Sequence, residues 1–349
     1  MRRALVVGAS GVIGRAMAQE LVARGWDVVC ATRSGESVPG AKGLAVDLLD
    51  AAAVAGAAAA LGPVSHLFYA AYQPRPSRAE EIAPNRAMLD RSIDLARVTE
   101  PAAFQHVVLV TGGKVYGLQW GAIKTPAREG DPRSLGPNFY FAQEDLLRER
   151  GPREGWSWTH LIPPFVTGYS DRAPMNLVMV LAVLGSLARE LGQPLRFPGP
   201  LAAWESLHHI ADADHIGAAA AWAADSHNAA DQVFNVANGD PGRWQHIWAG
   251  IARFFDVPVA DPAPLPLAQV AESLQPVWRR IAERENLRQS DLMALVDWGW
   301  AEYMFHTAFA KDVLFETGKL RCAGFHDCLD TEAKLHERFE QLRSLRLIP

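Results

Sequence analysis

A short apolar run, Ala4-Leu5-Val6-Val7, passes directly into Gly8-Ala9-Ser10-Gly11-Val12-Ile13-Gly14, and a helical pattern follows as far as Arg24. Few folds place glycines at that spacing between a strand and a helix. Gly8 permits the tight turn out of the strand, Gly11 lets backbone come close to a pyrophosphate, and Gly14 lets the helix pack on the strand. The start of the helix then turns unpaired N–H groups toward the phosphates. Gly25 closes the helix and residues 27–31 read as a second strand. The chain therefore opens a doubly wound parallel sheet of the Rossmann type.

The alternation continues along the sequence. Residues 51–61 form an alanine-rich helix and 64–71 a buried strand; helices are expected over 83–98 and 140–150, strands over 106–111 and 159–162. Pro163-Pro164 ends the regular pattern. A helix over 176–191 and a proline- and glycine-rich loop at 193–200 follow, one further strand spans 232–236, and from Trp244 the pattern is mainly helical. The expected fold is α/β: a nucleotide-binding domain from residues 1–170 and 204–240, and a smaller, discontinuous, mainly helical cap from 171–203 and 241–349. The substrate would sit between them.

With 349 residues, 49% hydrophobic and 21% charged, the chain reads as an ordinary globular protein. A net charge of −5 argues against nucleic-acid or anionic-membrane partners, which demand a basic surface. The longest apolar stretch, residues 177–187, is short of the roughly 20 residues a membrane span needs. No signal peptide is read at the start, and three cysteines (Cys30, Cys322, Cys328) fit a reducing, cytoplasmic compartment. Cys322, His326 and Cys328 lack a fourth ligand and regular spacing, so no metal is expected. A homodimer is compatible with these features.

The end of the second strand selects the cofactor. An acidic residue there would bond a ribose hydroxyl and repel a 2′-phosphate; Thr32-Arg33-Ser34 stands there instead. Arg33 can grip a phosphate with its planar fork while Thr32 and Ser34 donate hydroxyls, which favours NADPH. Arg33 also reads as a solvated charge. Asp47 and Leu48 are placed to meet the adenine edge, and Asp47 could equally cap a helix.

None of the six tyrosines has a lysine four residues later, the pairing by which ordinary short-chain reductases lower a catalytic phenol's pKa. Tyr140 meets Glu144 at that position, and Lys114, one of only six lysines, lies directly after a buried strand. Two motifs carry these residues: Thr111-Gly112-Gly113-Lys114-Val115-Tyr116-Gly117 and Asn138-Phe139-Tyr140-Phe141-Ala142-Gln143-Glu144-Asp145. With His66-Leu67-Phe68-Tyr69-Ala70, residues 194–199, Trp204, residues 211–214, residues 234–240, Trp244, Trp248 and the terminal Ile348-Pro349, they closely resemble the progesterone 5β-reductase/iridoid synthase family.

The resemblance runs nearly the whole length. It implies an extended short-chain reductase that uses NADPH to reduce the carbon–carbon double bond of an enone or enal. Tyr140 would donate a hydrogen bond to the substrate oxygen and stabilise the enolate, with Lys114 approaching from the other side. Gly112 occupies the place of the serine or threonine that carbonyl-reducing relatives keep. Tyr69, Ala70, Thr111 and Val166 would join the glycine turn (Gly8, Ser10, Gly11, Val12, Ile13, Gly14) against the cofactor.

An apolar substrate pocket is expected from Tyr72, Trp120, Met175 and Phe325, each of which also reads as ordinary core. The sequence departs from the plant enzymes at Phe165, at Tyr72, and in a shorter loop between Lys114 and Tyr140, so a steroid or iridoid substrate does not carry over. Carbonyl reduction or sugar-nucleotide epimerisation on the same scaffold, and a sensor that binds NADPH without turnover, are the competing readings.

Overall fold

A computed structural model describes residues 2–170 and 173–349. Seven parallel strands form the central sheet. In chain order these begin with β1 (Arg3–Val7), β2 (Asp27–Thr32), β3 (Lys42–Ala45), β4 (His66–Tyr69), β5 (His106–Val110) and β6 (Ser157–Ile162); the seventh is Gln232–Asn235. Across the sheet they run Gln232–Asn235, β6, β5, β4, β1, β2, β3. The order reverses beside β1, so the crevice at its carboxyl end is where such sheets bind ligands.

The strands are near-continuous apolar runs because both faces are covered. Helix α1 (Val12–Ala23) and the helix Ala213–Asp225 pack together on one face. Helices α2 (Ala51–Leu61), α3 (Arg78–Arg97) and α4 (Phe139–Glu154) belong to the other. Gly14 makes the α1 contact possible: a Cβ there would lie 2.2 Å from the Gly8 carbonyl oxygen.

Two elements differ from expectation. Helix α3 begins at Arg78 rather than at 83, because Ser77 accepts from the Glu80 N–H at 3.3 Å and donates to its carboxylate at 2.7 Å. Ser77 is therefore the N-cap, and Pro84 lies inside the helix. The helix Ala213–Asp225 carries no expectation above, although Asp212 caps it by accepting from the Asp214 N–H.

Helix α5 (Leu177–Glu190), nearly buried throughout, joins Trp244–Phe254, Leu267–Glu285, Trp298–Tyr303 and Thr331–Ser344 in a helical layer. Its centre is aromatic: Phe197, Trp244, Trp248, Phe305 and Phe309 meet edge to face. One apolar core runs without a break from the sheet into this layer. Among the described residues no helix is long and apolar enough to cross a membrane.

Candidate active site

Two adjoining cavities open at the carboxyl end of the sheet. One, of about 430 Å³, is lined by Gly8, Ser10 and Gly11 from the glycine turn, Thr32 and Arg33 after β2, and Asp47 and Leu48 after β3. The other, of about 360 Å³, is lined by Ile13, Thr111, Gly112, Lys114, Tyr140 and Val166. Ala70, Ala71, Tyr72 and Met175 belong to both walls.

The first cavity is shaped by backbone. Gly8 has φ +86°, and a Cβ there would come within 2.8 Å of the Ala71 nitrogen. Gly11 begins α1 with no side chain capping the helix, so its first N–H groups face the cleft. An uncapped helix start with an arginine at the far end suits a dinucleotide diphosphate and a further phosphate. Asp47 turns out not to cap a helix, since Asp50 does so for α2. The Asp47 carboxylate accepts from the Leu49 N–H at 2.8 Å. Ser34 is exposed, and Val12 and Gly14 pack behind the turn rather than in the cavity wall.

In the second cavity Asn138 does the positioning. Its side chain accepts from the Tyr140 N–H at 3.1 Å, which starts α4, and donates to the Lys114 carbonyl at 2.7 Å. A single amide thereby joins the turn that carries Lys114 to the helix that carries Tyr140. An asparagine directly before an apolar helical stretch is a legible cap signal, though its bond to Lys114 is not. Gly112 faces the phenol: a Cβ there would lie 3.7 Å from the Tyr140 hydroxyl. A serine in its place would bring a second hydroxyl beside the phenol.

Burial, reinforced by the Glu81 carboxylate, pushes the Tyr140 phenol up to about 12, so it is a proton donor across the neutral range. Burial pulls the Lys114 ammonium down to about 8; Arg78 acts in the same direction and Glu81 against it. Lys114 Nζ lies 5.5 Å from the centre of the Tyr72 ring, a cation–π contact. That ring stacks on Phe139 and its hydroxyl donates to Glu81, which is itself buried. Glu81 thus acts electrostatically on both residues expected to do the chemistry. Nothing near it in sequence signals this, because the contact reaches back from α3.

Tyr72 and Met175 do line the cavity, but two other expected pocket residues do not. Trp120 is 57% exposed and borders a separate surface hollow beside Gly117 and Gly136. Phe325 is buried against His215 and Trp222 on the opposite face of the sheet, where an aromatic ring fills core. The Tyr69 side chain is likewise in the core, 1% exposed, and lines neither cavity. The wall is completed instead by Trp300, Tyr303 and Met304, one helical turn apart in the helical layer. Phe165 turns away from a polar role and packs 4.6 Å from Phe309.

The sheet order, the glycine cradle and the buried tyrosine at the start of α4 fit an extended short-chain dehydrogenase/reductase. A PRISE-like Rossmann-fold domain model matches residues 46–349. The (S)-8-oxocitronellyl enol synthase of Nepeta racemosa is 32% identical, the match covering 93% of this chain and 86% of that protein. The short chain dehydrogenase gsfE of Penicillium aethiopicum is 26% identical over 100% of this chain and 99% of its own. Among solved structures, UDP-glucose 4-epimerase of Thermus thermophilus in complex with NAD superposes with a TM-score of 0.67 at 18% identity, covering 98% of this chain and 99% of that one. The chain belongs to the PRISE-like family of short-chain dehydrogenases/reductases.

Proposed function

We infer that the protein reduces the carbon–carbon double bond of a small, apolar enone or enal with NADPH; support comes from its likeness to proteins named for forming an enol, the 8-oxocitronellyl enol synthases. The observation that carries this reading is the pairing of Tyr140 with Gly112 and Lys114 in one apolar-walled cavity. NADPH, when bound, supplies hydride from its nicotinamide ring. The glycine turn would hold the diphosphate, Arg33 the 2′-phosphate, and Val166 with Ile13 the space beside the ring.

Tyr140, kept protonated by its burial, donates a hydrogen bond to the substrate's carbonyl oxygen. That bond strengthens as negative charge gathers there, the role of an oxyanion-stabilising donor. The Lys114 ammonium adds positive charge to the same end of the cavity. Gly112 offers no second hydroxyl, so the carbonyl oxygen is held without the donor pair that suits proton transfer to a reduced carbonyl. Trp300, Tyr303 and Met304 exclude water and favour an apolar carbon skeleton.

The test is product analysis. Purified protein, NADPH and a cyclic enone are expected to give the saturated ketone. An allylic alcohol as the main product would reassign the site to carbonyl reduction. Tight NADPH binding without turnover across a broad enone set would favour a sensor.

A further inference from the structure

Lys114 is half-buried, yet among the described residues no hydrogen bond or ion pair holds its Nζ. The partner it has is the Tyr72 ring, 5.5 Å away. Tyr72 follows β4 and is fixed at three places. Its ring stacks on Phe139, with centres 5.3 Å apart and planes 13° from parallel. Its hydroxyl donates to the Glu81 carboxylate, which is buried on α3. Its backbone is held through the next residue. Asn85, also buried on α3, accepts from the Gln73 N–H at 2.8 Å and donates to the Gln73 and Glu81 carbonyls, each at 2.8 Å. Gln143 of α4 donates to the Asn85 carbonyl at 3.1 Å, so α3, α4 and this segment are tied together.

Tyr72 is 37% exposed, so the side chain borders both cavities while its polar tip turns to Glu81. A phenol that donates to a carboxylate gains electron density in its ring, and a more negative ring face attracts a cation more strongly. Burial, reinforced by Glu81, pushes the Tyr72 phenol well above its usual range, which keeps it the donor of that bond. The groups around Lys114 come from four places: Arg78 and Glu81 from α3, Tyr72 after β4, Tyr140 from α4, and Tyr303 from the helical layer. Of these, Arg78 and Glu81 carry charge. Nη1 of Arg78 lies 3.4 Å from Oε2 of Glu81, and the two act on the ammonium in opposite directions.

We propose that Tyr72 and Glu81 are positioning residues: the ring, polarised through its hydroxyl by the Glu81 carboxylate, seats the Lys114 ammonium at the Tyr140 end of the substrate cavity. The use of this seat in catalysis rests on the reductase reading above. For its field to act on a forming enolate, the ammonium must stay charged and stay close to the substrate oxygen. A direct bond to a carboxylate would hold it but would cancel much of that field. A ring face holds it and leaves its three N–H donors without a competing acceptor.

Lysine labelled with 13C at Cε gives one NMR signal for each of the six lysines, and Lys114→Arg identifies the one from position 114. In the cofactor-free protein the ε protons of Lys114 should lie upfield of those of the other lysines, through the ring current of Tyr72. Tyr72→Leu, which keeps bulk and removes the ring, should return them to the ordinary position. The wild-type signal should titrate near pH 8. Glu81→Gln keeps an acceptor for the Tyr72 hydroxyl and removes the charge that favours the ammonium, so the midpoint should fall by about half a unit or more. Arg78→Gln should raise it, and damage to the fold would not produce opposite shifts. With NADPH and a cyclic enone, the loss of rate at high pH should move down in Glu81→Gln by the same interval.

Unmoved ε protons in Tyr72→Leu, or a midpoint that Glu81→Gln and Arg78→Gln leave in place or shift the same way, overturn the seat and leave the reductase reading standing. A midpoint that falls in Glu81→Gln while the rate profile stays where it was denies the seat its part in catalysis. A wild type that turns over no enone at all overturns the reductase reading, and the catalytic use of the seat with it.

Discussion

The cleft that suits the dinucleotide and the cavity that suits the substrate adjoin, yet they are built in opposite ways. The first is made of backbone: a glycine at φ +86°, a helix start without a cap, and a close strand–helix contact that only Gly14 allows. The second is made of side chains gathered from the segment after β4, the turn after β5, α4 and the helical layer. A backbone site needs few residue types and a fixed spacing, so it can be identified within fourteen residues. A side-chain site needs long-range packing to bring its members together, and it tolerates change at each of them. That leaves the nucleotide end constrained while the substrate end is free to diverge.

Three substitutions sharpen the contrast, beginning with the largest effect. Phe325→Ala should cost about 3–5 kcal/mol of stability by emptying core on the far face of the sheet. Chemical denaturation would show this, with KM for the substrate unchanged in the folded fraction; a raised KM without lost stability would put Phe325 back in the pocket. Arg33→Ser should weaken NADPH binding by roughly 1.5–3 kcal/mol, the worth of hydrogen bonds to a charged group. NADH binding should stay as it was, and titration of both cofactors reads the difference. Equal losses for both would leave Arg33 without a 2′-phosphate role.

The smallest effect is a pH dependence. Burial lowers the Lys114 pKa to about 8, so its charge is present below that value and is lost as pH rises through it. The rate should therefore decline above about pH 8, and Lys114→Arg, charged throughout, should remove the decline. A profile that stays flat to pH 10 in the wild type would exclude the ammonium from the reaction.

Much of this architecture is legible in the sequence, for reasons that differ by residue. Gly8, Gly11 and Gly14 declare themselves by their spacing, and at Gly8 and Gly14 a Cβ would collide with backbone. Tyr140 and Lys114 are found through their motifs, and they do share a cavity. The start of α3 lies five residues before the expected 83, because Ser77 caps the helix through the Glu80 N–H. Phe325 and Trp120 show the limit most clearly. Aromatic character announces a preference for burial or contact but not the face of the sheet on which it is satisfied. Glu81, Trp300 and Tyr303 carry no local mark, since their value lies in contacts with residues far along the chain.

Central to this account is the Tyr140 phenol as the donor that stabilises charge on the substrate oxygen. Its most direct test is the single-turnover rate of NADPH oxidation by Tyr140→Phe with a cyclic enone, alongside a cofactor titration. A fall of about 10²–10³ in rate with cofactor affinity retained is the expected result. A Phe variant as fast as the wild type would contradict it.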